Sequence, residues 1–307
     1  MILAHTDVDQ LIRLCIKLVD YGDVYIHVDK KTDNTYLDHL TNYIESHDLC
    51  RKINVLKDRC YITWGGYSSV NAITKLLEFT LNNNECSYDR IFFISGLCYP
   101  LLSPSKLFDF CDKNKDKELL MAYNISRGNN SRQLEKVTLY HFFRNIHLPH
   151  KSIVRRGIIG GTKLLLKYLQ FRKKPYLIVN KSRWDVFFSA EWVSLTDSCW
   201  RFVLENLQHN KSLVSYFQHT YCADEMIIAT IVMNSEYGKN AFTSQEPYIE
   251  NLSMLHYLHY TDHIWTYDEN DFEELMRSGK PFVRKLVSGK SEKLIEMINN
   301  LHEQEKR

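Results

Sequence analysis

The chain of 307 residues lacks the short motifs that identify many nucleotide and metal enzymes. It contains no G-x-G-x-x-G turn, no Walker A phosphate loop and no H-E-x-x-H metal motif. Its eight cysteines include no C-x-x-C pair and no cysteine–histidine cluster at zinc spacing. No short motif therefore predicts a phosphate loop or a bound metal.

Long apolar runs and export signals are also missing. The longest apolar runs, such as residues 226–233, fall far short of the ~20 residues that a membrane-spanning helix needs. The N-terminal residues run directly into Asp7 and Asp9, without the basic and apolar segments of a secretory signal. We therefore expect a cytoplasmic protein whose cysteines are reduced thiols, several of them packed in the core.

Charge of either sign is not in excess, since 39 Lys and Arg face 37 Asp and Glu. This balance argues against a nucleic-acid partner, because such proteins carry a basic surface. Residues 151–174 depart from the balance, with eight Lys or Arg, no acid, and an apolar leucine face after residue 161. The segment predicts either a solvated helix face or a contact with an anionic membrane surface or a charged glycan.

Strand-like and helix-like patterns alternate through the first half of the chain. Apolar or β-branched runs predict strands, and apolar residues at helical spacing predict helices. The predicted strands are 2–4, 24–29, 53–56 and 90–95, and the predicted helices are 8–19, 34–46, 70–81 and 104–113. This alternation predicts an α/β fold with a mostly parallel central sheet and helices on both faces. Ligands gather at the carboxyl ends of parallel strands, where Asp29 and the turn at 96–100 lie.

Five segments, taken in chain order, carry a resemblance to a known family. They are 25–31 (YIHVDKK), 61–66 (YITWGG), 93–101 (FISGLCYPL), 222–226 (CADEM) and 278–285 (SGKPFVRK). In this order they resemble the core-2/I-branching β-1,6-N-acetylglucosaminyltransferase family, whose relatives include the peptide xylosyltransferases. The resemblance spans about residues 3–286.

The resemblance implies a GT-A-type nucleotide-sugar fold and an inverting, metal-independent transferase that uses a UDP-sugar. It implies a single domain over residues 1–307. Within that domain we expect a nucleotide-binding part at about 1–125 and an acceptor and catalytic part at about 126–307.

Inverting transfer needs one base to remove the proton of the attacking hydroxyl. Glu225, in a helix predicted over 224–234, matches the family's catalytic glutamate. Asp185 is the alternative base, because some relatives place an acid near this position. The residues alone leave another interpretation open, in which Asp224 and Glu225 are acids of a first helical turn favoured by the helix dipole.

The leaving UDP carries negative charge that a metal or fixed cations must stabilise. Many GT-A enzymes hold a metal with an Asp-x-Asp motif at a strand end, but Asp29 stands alone at that place. Asp7 and Asp9 are instead typical of a helix N-terminus. This pattern agrees with a family that uses basic side chains, so we expect neither a metal nor another cofactor.

The resemblance assigns the diphosphate to Lys285, with Arg284 beside it. Without the resemblance, the two would read as a surface basic pair. A second family cation has no clear match, since the corresponding stretch offers only His259 and His263.

Four further residues are candidates for contact with the substrates. Asp29 and Tyr61 match family positions that contact the uridine, because a carboxylate accepts hydrogen bonds and a tyrosine ring can stack on a base. Trp64 and Tyr260 are candidates for stacking on a sugar of the acceptor. Each of these residues could equally be a strand-end polar group or a core aromatic.

The sequence therefore predicts a glycosyltransferase of polysaccharide biosynthesis that moves a sugar from a UDP-sugar to a glycan hydroxyl. The expected donor is UDP-N-acetylglucosamine, with a β-1,6 linkage, and the alternatives are xylose or another UDP-hexose. A nucleotide-sugar- or glycan-binding homologue without turnover is a different class, which the presence of Glu225 disfavours. The expected partners are the UDP-sugar and the glycan, with peripheral contact at the inner face of a membrane through residues 151–174.

Overall fold

Short buried strands and intervening helices follow the predicted alternation through the first part of the chain. The computed structural model describes residues 1–82, 87–146, 148 and 152–306. The helices are α1 Val8–Leu18, α2 Asn34–Ser46, α3 Ser68–Asn82, α4 Pro104–Lys113, α5 Ser131–Thr138, α6 Ile153–Tyr168, α7 Asp197–His209, α8 Lys211–Phe217, α9 Ile227–Met233, α10 Ile249–Leu252, α11 Phe272–Arg277 and α12 Glu292–Glu305. The strands are β1 Ile2–Ala4, β2 Val24–Val28, β3 Ile53–Val55, β4 Arg90–Phe92, β5 Ile94–Ser95, β6 Cys98–Pro100, β7 Met121–Asn124, β8 Tyr176–Val179, β9 Ser182–Asp185, β10 Phe187–Ser189, β11 Ser194–Thr196, β12 Phe242–Thr243, β13 His256–Tyr257 and β14 Phe282–Arg284.

The central sheet has the strand order β3-β2-β1-β5, and all of its pairings are parallel. Side chains alternate across it, so that Val24 and Ile26 enter one apolar core while Tyr25 enters another. Helices α1, α2 and α12 supply the first core, and α3, α7 and α9 supply the second. The predicted α/β class, with a parallel central sheet flanked by helices, is confirmed. The division of the chain at about residue 125 stays a prediction.

Helix starts agree with the capping residues in the sequence. Asp7 accepts a hydrogen bond from the amide of Gln10 at 3.0 Å, which confirms its place at the N-terminus of α1. Helix α4 begins at the predicted Pro104, but the hydroxyl of Ser103 does not cap it. That hydroxyl instead donates to a carboxylate oxygen of Glu305 at 2.6 Å and ties α4 to α12.

Two predicted elements are each divided in the structure. The strand predicted at 90–95 splits at Phe93, whose amide donates to Val193 at 2.8 Å while its neighbours pair with different strands. The helix predicted at 224–234 is a 3-10 turn at Ala223–Glu225, followed by α9 from Ile227. Glu225 therefore does not lie in the first turn of an α-helix, which removes the simple helix-dipole explanation for it.

The C-terminal part of the chain returns to the carboxyl edge of the central sheet. Strand β14 lies between β13 and β6, and Arg284 is paired with Cys98. The amide of Leu286 donates to the carbonyl of Leu97 at 3.0 Å. The segment that holds Arg284 is thus anchored on the turn at 96–98.

The described cysteines are free thiols, and Cys15, Cys98, Cys199 and Cys222 are buried in the core, as expected. Cys86 lies outside the described residues. Within the described ranges, no helix combines the length and the apolar composition needed to cross a membrane.

Candidate active site

One wall of the site is the end of β2. Asp29 is buried, and its Oδ1 accepts hydrogen bonds from the amides of Lys31 at 2.9 Å and Ile62 at 3.2 Å. The ammonium of Lys31 lies 3.3 Å from Oδ2 and 5.5 Å from the centre of the Tyr61 ring. The structure therefore brings Asp29 and Tyr61 together, with the carboxylate holding the loop that carries the ring.

A polar cleft of about 590 Å³ opens beside Tyr61. Its walls include Lys30, Arg59, Asn71 and Asn145. This volume falls in the range of pockets that hold small organic ligands. The cleft combines an aromatic ring with hydrogen-bonding side chains, the elements that recognise a nucleoside.

The glycine turn after Tyr61 packs against the segment that leads to Glu225. Gly65 has a φ of +71°, and a Cβ there would lie 2.4 Å from a ring carbon of Tyr221. The carbonyl of Gly65 accepts a hydrogen bond from the amide of Cys222 at 3.3 Å. Trp64 is 60% exposed, and its ring meets Tyr221 edge-on at 5.5 Å. Trp64 therefore stands on the rim next to the candidate base, where a sugar ring could stack.

Glu225 is the last residue of its 3-10 turn and is held by a lysine. The ammonium of Lys136 donates to Oε2 of Glu225 at 2.8 Å, and the two side chains are 13% and 26% exposed. Lys136 also lies 4.6 Å from the centre of the Phe188 ring. Because one oxygen of Glu225 is fixed in this way, the carboxylate has a defined direction.

Two other acids share the neighbourhood of Glu225. Burial and the charge of Asp224 raise the pKa of Glu191 to about 8. Burial and the charge of Glu225 raise the pKa of Asp224 to about 6. Both pKa values are thus shifted upward, and that of Glu191 passes neutral pH, which is characteristic of clustered carboxylates in functional sites.

Arg284 lies between these acids and the end of the central sheet. Its guanidinium stacks on Trp192 at 4.4 Å from the ring centre. Among the described residues, its Nε and Nη1 atoms are buried without a hydrogen-bond partner. Its positive charge acts to lower the pKa of Glu191, against the effect of burial. The same charge adds to burial in lowering the pKa of His5. A half-buried guanidinium with unused donors is suited to bind a phosphate.

Lys285 follows in a segment whose backbone is well anchored. Its amide donates to Trp265 at 3.2 Å, and its carbonyl accepts from Tyr267 at 3.3 Å. Residues 259–265 form a hairpin here, closed by the amide of Trp265 on the carbonyl of His259 at 2.9 Å. The structure therefore brings this hairpin beside the backbone of Lys285.

The candidate residues of the hairpin lie on the surface. His259, Tyr260 and His263 are exposed. Nδ1 of His259 lies 3.0 Å from a carboxylate oxygen of Glu250, so an acid competes with any phosphate for this ring. Their substrate roles stay predictions.

Asp185, the alternative base, is engaged by arginines. Its carboxylate lies 2.6 Å from Nε of Arg127 and 3.1 Å from Nε of Arg183, and it accepts from Asn124 at 3.2 Å. Burial acts to raise the pKa of Asp185, but the hydrogen bonds from Asn124 and Arg127 outweigh burial and lower that pKa below its ordinary value. These contacts are those of an ion pair that stabilises β9, and its role as a base stays a prediction.

A carboxylate held by a lysine and a guanidinium with two unpartnered nitrogens, counted over the described residues, thus lie near the carboxyl edge of a parallel sheet. A family model described as "Branch: Core-2/I-Branching enzyme" matches residues 1–276, and the chain belongs to this family of glycosyltransferases. The family resemblance and the prediction of a glycosyltransferase are thereby confirmed, and four of the five segments lie within the matched region, whereas 278–285 lies beyond it. The matched region ends before Arg284 and Lys285.

Among solved structures, the apo structure of the bifunctional glycosyltransferase WbbM is similar at 10% sequence identity and a TM-score of 0.34. The similarity covers 94% of this chain and 46% of that one, so this chain spans about half the length of WbbM. No curated protein matches the sequence.

Sequence reasoning missed Lys136 and Glu191. Lys136 is 89 residues from Glu225 in the chain, and it lies in a helix with no distinctive motif. Glu191 lies in the segment between β10 and β11. Neither residue has a local signal, because only the tertiary fold brings them to Glu225.

Proposed function

We propose that the protein is an inverting, metal-independent glycosyltransferase that moves a sugar from a UDP-sugar to a glycan hydroxyl. The observation that carries the proposal is the half-buried guanidinium of Arg284, whose Nε and Nη1 have no hydrogen-bond partner among the described residues, beside the acids around Glu225. A fixed cation at this place can take the role of a metal toward the leaving diphosphate.

In the proposed reaction, Glu225 removes the proton of the acceptor hydroxyl as its oxygen attacks the anomeric carbon. The new bond forms on the face opposite the UDP, and the bond between the anomeric carbon and the diphosphate oxygen breaks. The proton ends on Glu225, and the negative charge ends on UDP near Arg284 and Lys285. Charge on the leaving group grows in the transition state, so the cation contributes most there.

Lys136 acts as a positioning residue in this scheme. Its contact with Oε2 of Glu225 leaves the other carboxylate oxygen for the acceptor proton. Asp29 and Tyr61 are proposed to contact the uridine, and Trp64 is proposed to stack on the acceptor. The exposure of Trp64 and its contact with Tyr221, next to the segment of Glu225, support that assignment.

N-acetylglucosamine, transferred in a β-1,6 linkage, is the donor sugar that family membership favours. Xylose and other UDP-hexoses are the alternatives. We place the reaction in the cytoplasm, in polysaccharide biosynthesis, and the free thiols of the described cysteines support a reducing compartment.

The test is a screen for UDP release with several UDP-sugars, with and without glycan acceptors, in the presence of EDTA. The Glu225→Gln variant is the matched control, since it keeps the shape of the side chain and loses the base. We expect acceptor-dependent release by the parent protein that survives EDTA. Release from no donor contradicts the proposal of an active enzyme and favours a binding homologue, and loss in EDTA that Mn²⁺ restores contradicts metal independence.

A further inference from the structure

Helix α6 turns an apolar face outward. Its exposed apolar side chains are Ile153, Val154, Ile158, Leu164, Leu165 and Tyr168, which are 39% to 85% exposed. At 100° per residue, these six positions fall within about 140° of the helix circumference. A surface helix ordinarily turns such a stripe toward the core. This helix does the reverse.

Polar contacts hold α6 in this orientation. Arg155, on the opposite side, is 3% exposed and donates to the carbonyl of Arg144 at 3.1 Å. Lys163 and Lys167 lie 3.7 Å and 3.2 Å from the carboxylate of Glu135 on α5. The outward direction of the apolar face is therefore set by charged side chains that reach toward the rest of the protein.

We propose that α6 lies in the headgroup region of an anionic lipid bilayer, with its apolar face toward the acyl chains. Charge complementarity identifies this occupant. Residues 151–174 carry eight Lys or Arg and no acid. Arg155, Lys163 and Lys167 face the protein, and Lys173 donates to Tyr216 and Thr220, whereas Arg156, Arg172 and Lys174 are exposed and supply the positive charge of this surface. An apolar stripe next to cations is the pattern of a helix that lies on a membrane. A second copy of the chain fits less well, because pairing two such surfaces opposes like charges.

Helix α6 is connected to the candidate active site through α5. Glu135 contacts α6, and the next residue, Lys136, holds Glu225. Arg144 makes a second connection, because its carbonyl accepts the hydrogen bond from Arg155 and its guanidinium stacks on Tyr221. The ring of Tyr221 in turn packs against Trp64. A bilayer under α6 would thus lie close to the acceptor rim of the site.

The experiment is flotation of the full chain with vesicles of phosphatidylcholine alone or mixed with phosphatidylglycerol. We expect the parent to bind the mixed vesicles and to lose binding at high salt. The Leu164→Glu/Leu165→Glu variant should bind at least about 100-fold more weakly, since burial of each leucine accounts for roughly tenfold or more. Arg156→Gln, at an exposed position, should weaken binding about fivefold.

Phe108→Glu on α4, where Phe108 is 53% exposed, is the matched control and should bind like the parent. Tyr168→Glu is a second variant on the face, and melting curves report whether each variant is folded. A parent that binds no vesicle, or Leu164→Glu/Leu165→Glu and Tyr168→Glu variants that bind normally, would overturn the proposal. Light scattering that shows a dimer lost in these variants, without vesicle binding, would identify a second copy as the occupant. The assay involves no sugar transfer, so its failure leaves the proposed function standing.

Discussion

The strongest prediction concerns Arg284, because two nitrogens of its half-buried guanidinium, Nε and Nη1, lie in the interior without a hydrogen-bond partner among the described residues. We expect a bound diphosphate to accept hydrogen bonds from these two nitrogens, which have none in the empty site. In Arg284→Ala, two charge-assisted hydrogen bonds of about 1.5–3 kcal/mol each would be lost on UDP binding. Taking the lower value for each, the loss is about 3 kcal/mol, or a rise of roughly 10²-fold in the Kd for UDP.

The assay is calorimetric titration of UDP into the parent and the variants. Arg284→Lys keeps the charge but loses the planar fork, so we expect it to recover only part of the affinity. The empty protein should not be destabilised much by Arg284→Ala, because removing a half-buried charge also removes its desolvation cost. Melting curves without UDP check this expectation and separate a binding defect from unfolding.

Lys285→Ala tests the neighbouring residue, to which the family resemblance assigns the diphosphate. Its backbone is held by Trp265 and Tyr267, so the substitution should leave the segment in place. An Arg284→Ala variant that binds UDP within about threefold of the parent, well under one decade of affinity, would refute the reasoning. If Lys285→Ala alone weakens binding, the diphosphate contact belongs to the next residue.

Four further predictions follow. Glu225→Gln should lower turnover by roughly 10²–10⁴-fold with little change in UDP affinity, as expected for loss of a general base; near-normal turnover, with a larger defect in Asp185→Asn, would transfer the role of base to Asp185. Lys136→Met should lower kcat by about tenfold or more while the Kd of UDP stays the same, because the carboxylate loses its fixed direction, and Lys136→Arg should restore part of the rate. Turnover should persist in EDTA, measured as UDP release. The pKa of Glu191 is raised to about 8, so the folded state binds more protons than the unfolded state. The stability of the protein should therefore fall as pH rises from the usual glutamate pKa toward 8. The melting temperature of Glu191→Gln should fall less over this range, and an equal pH dependence of the two proteins would contradict the burial assigned to Glu191.

Local sequence signals predicted the first half of the fold well. Helix α2 occupies the predicted residues 34–46, and α4 starts at the predicted Pro104. Such elements depend on apolar spacing and on end residues that lie within a few positions of each other. The strand at 90–95 was wrong in one respect, because Phe93 bonds to Val193, a partner 100 residues away. No local pattern contains that partner.

Candidate site residues could be named from the sequence only where a family motif exists. Glu225, Asp29 and Tyr61 were named from such motifs, whereas Lys136, Glu191 and Trp192 have no sequence signal and become visible only in three dimensions. The contact of Lys136 with Glu225 joins α5 to a 3-10 turn. The proposed role of Lys136 rests on the distance between its ammonium and the carboxylate of Glu225, and the positions of the two residues along the chain do not reveal that distance.

The charges of the site explain why such an arrangement is retained despite its cost. Glu191 and Asp224 disfavour folding when they are ionised, because burial removes their charges from water, and the raised pKa of each records this cost. The same groups are already oriented when the substrate arrives, so they need no rearrangement as charge moves from the acceptor hydroxyl to the diphosphate. Arg284 counters the raised pKa of Glu191 in the empty site, and in the proposed complex its free donors face the diphosphate. The raised pKa values of these acids and the proposed readiness of the site for a charged donor therefore have one physical origin, the partial removal of the site from water.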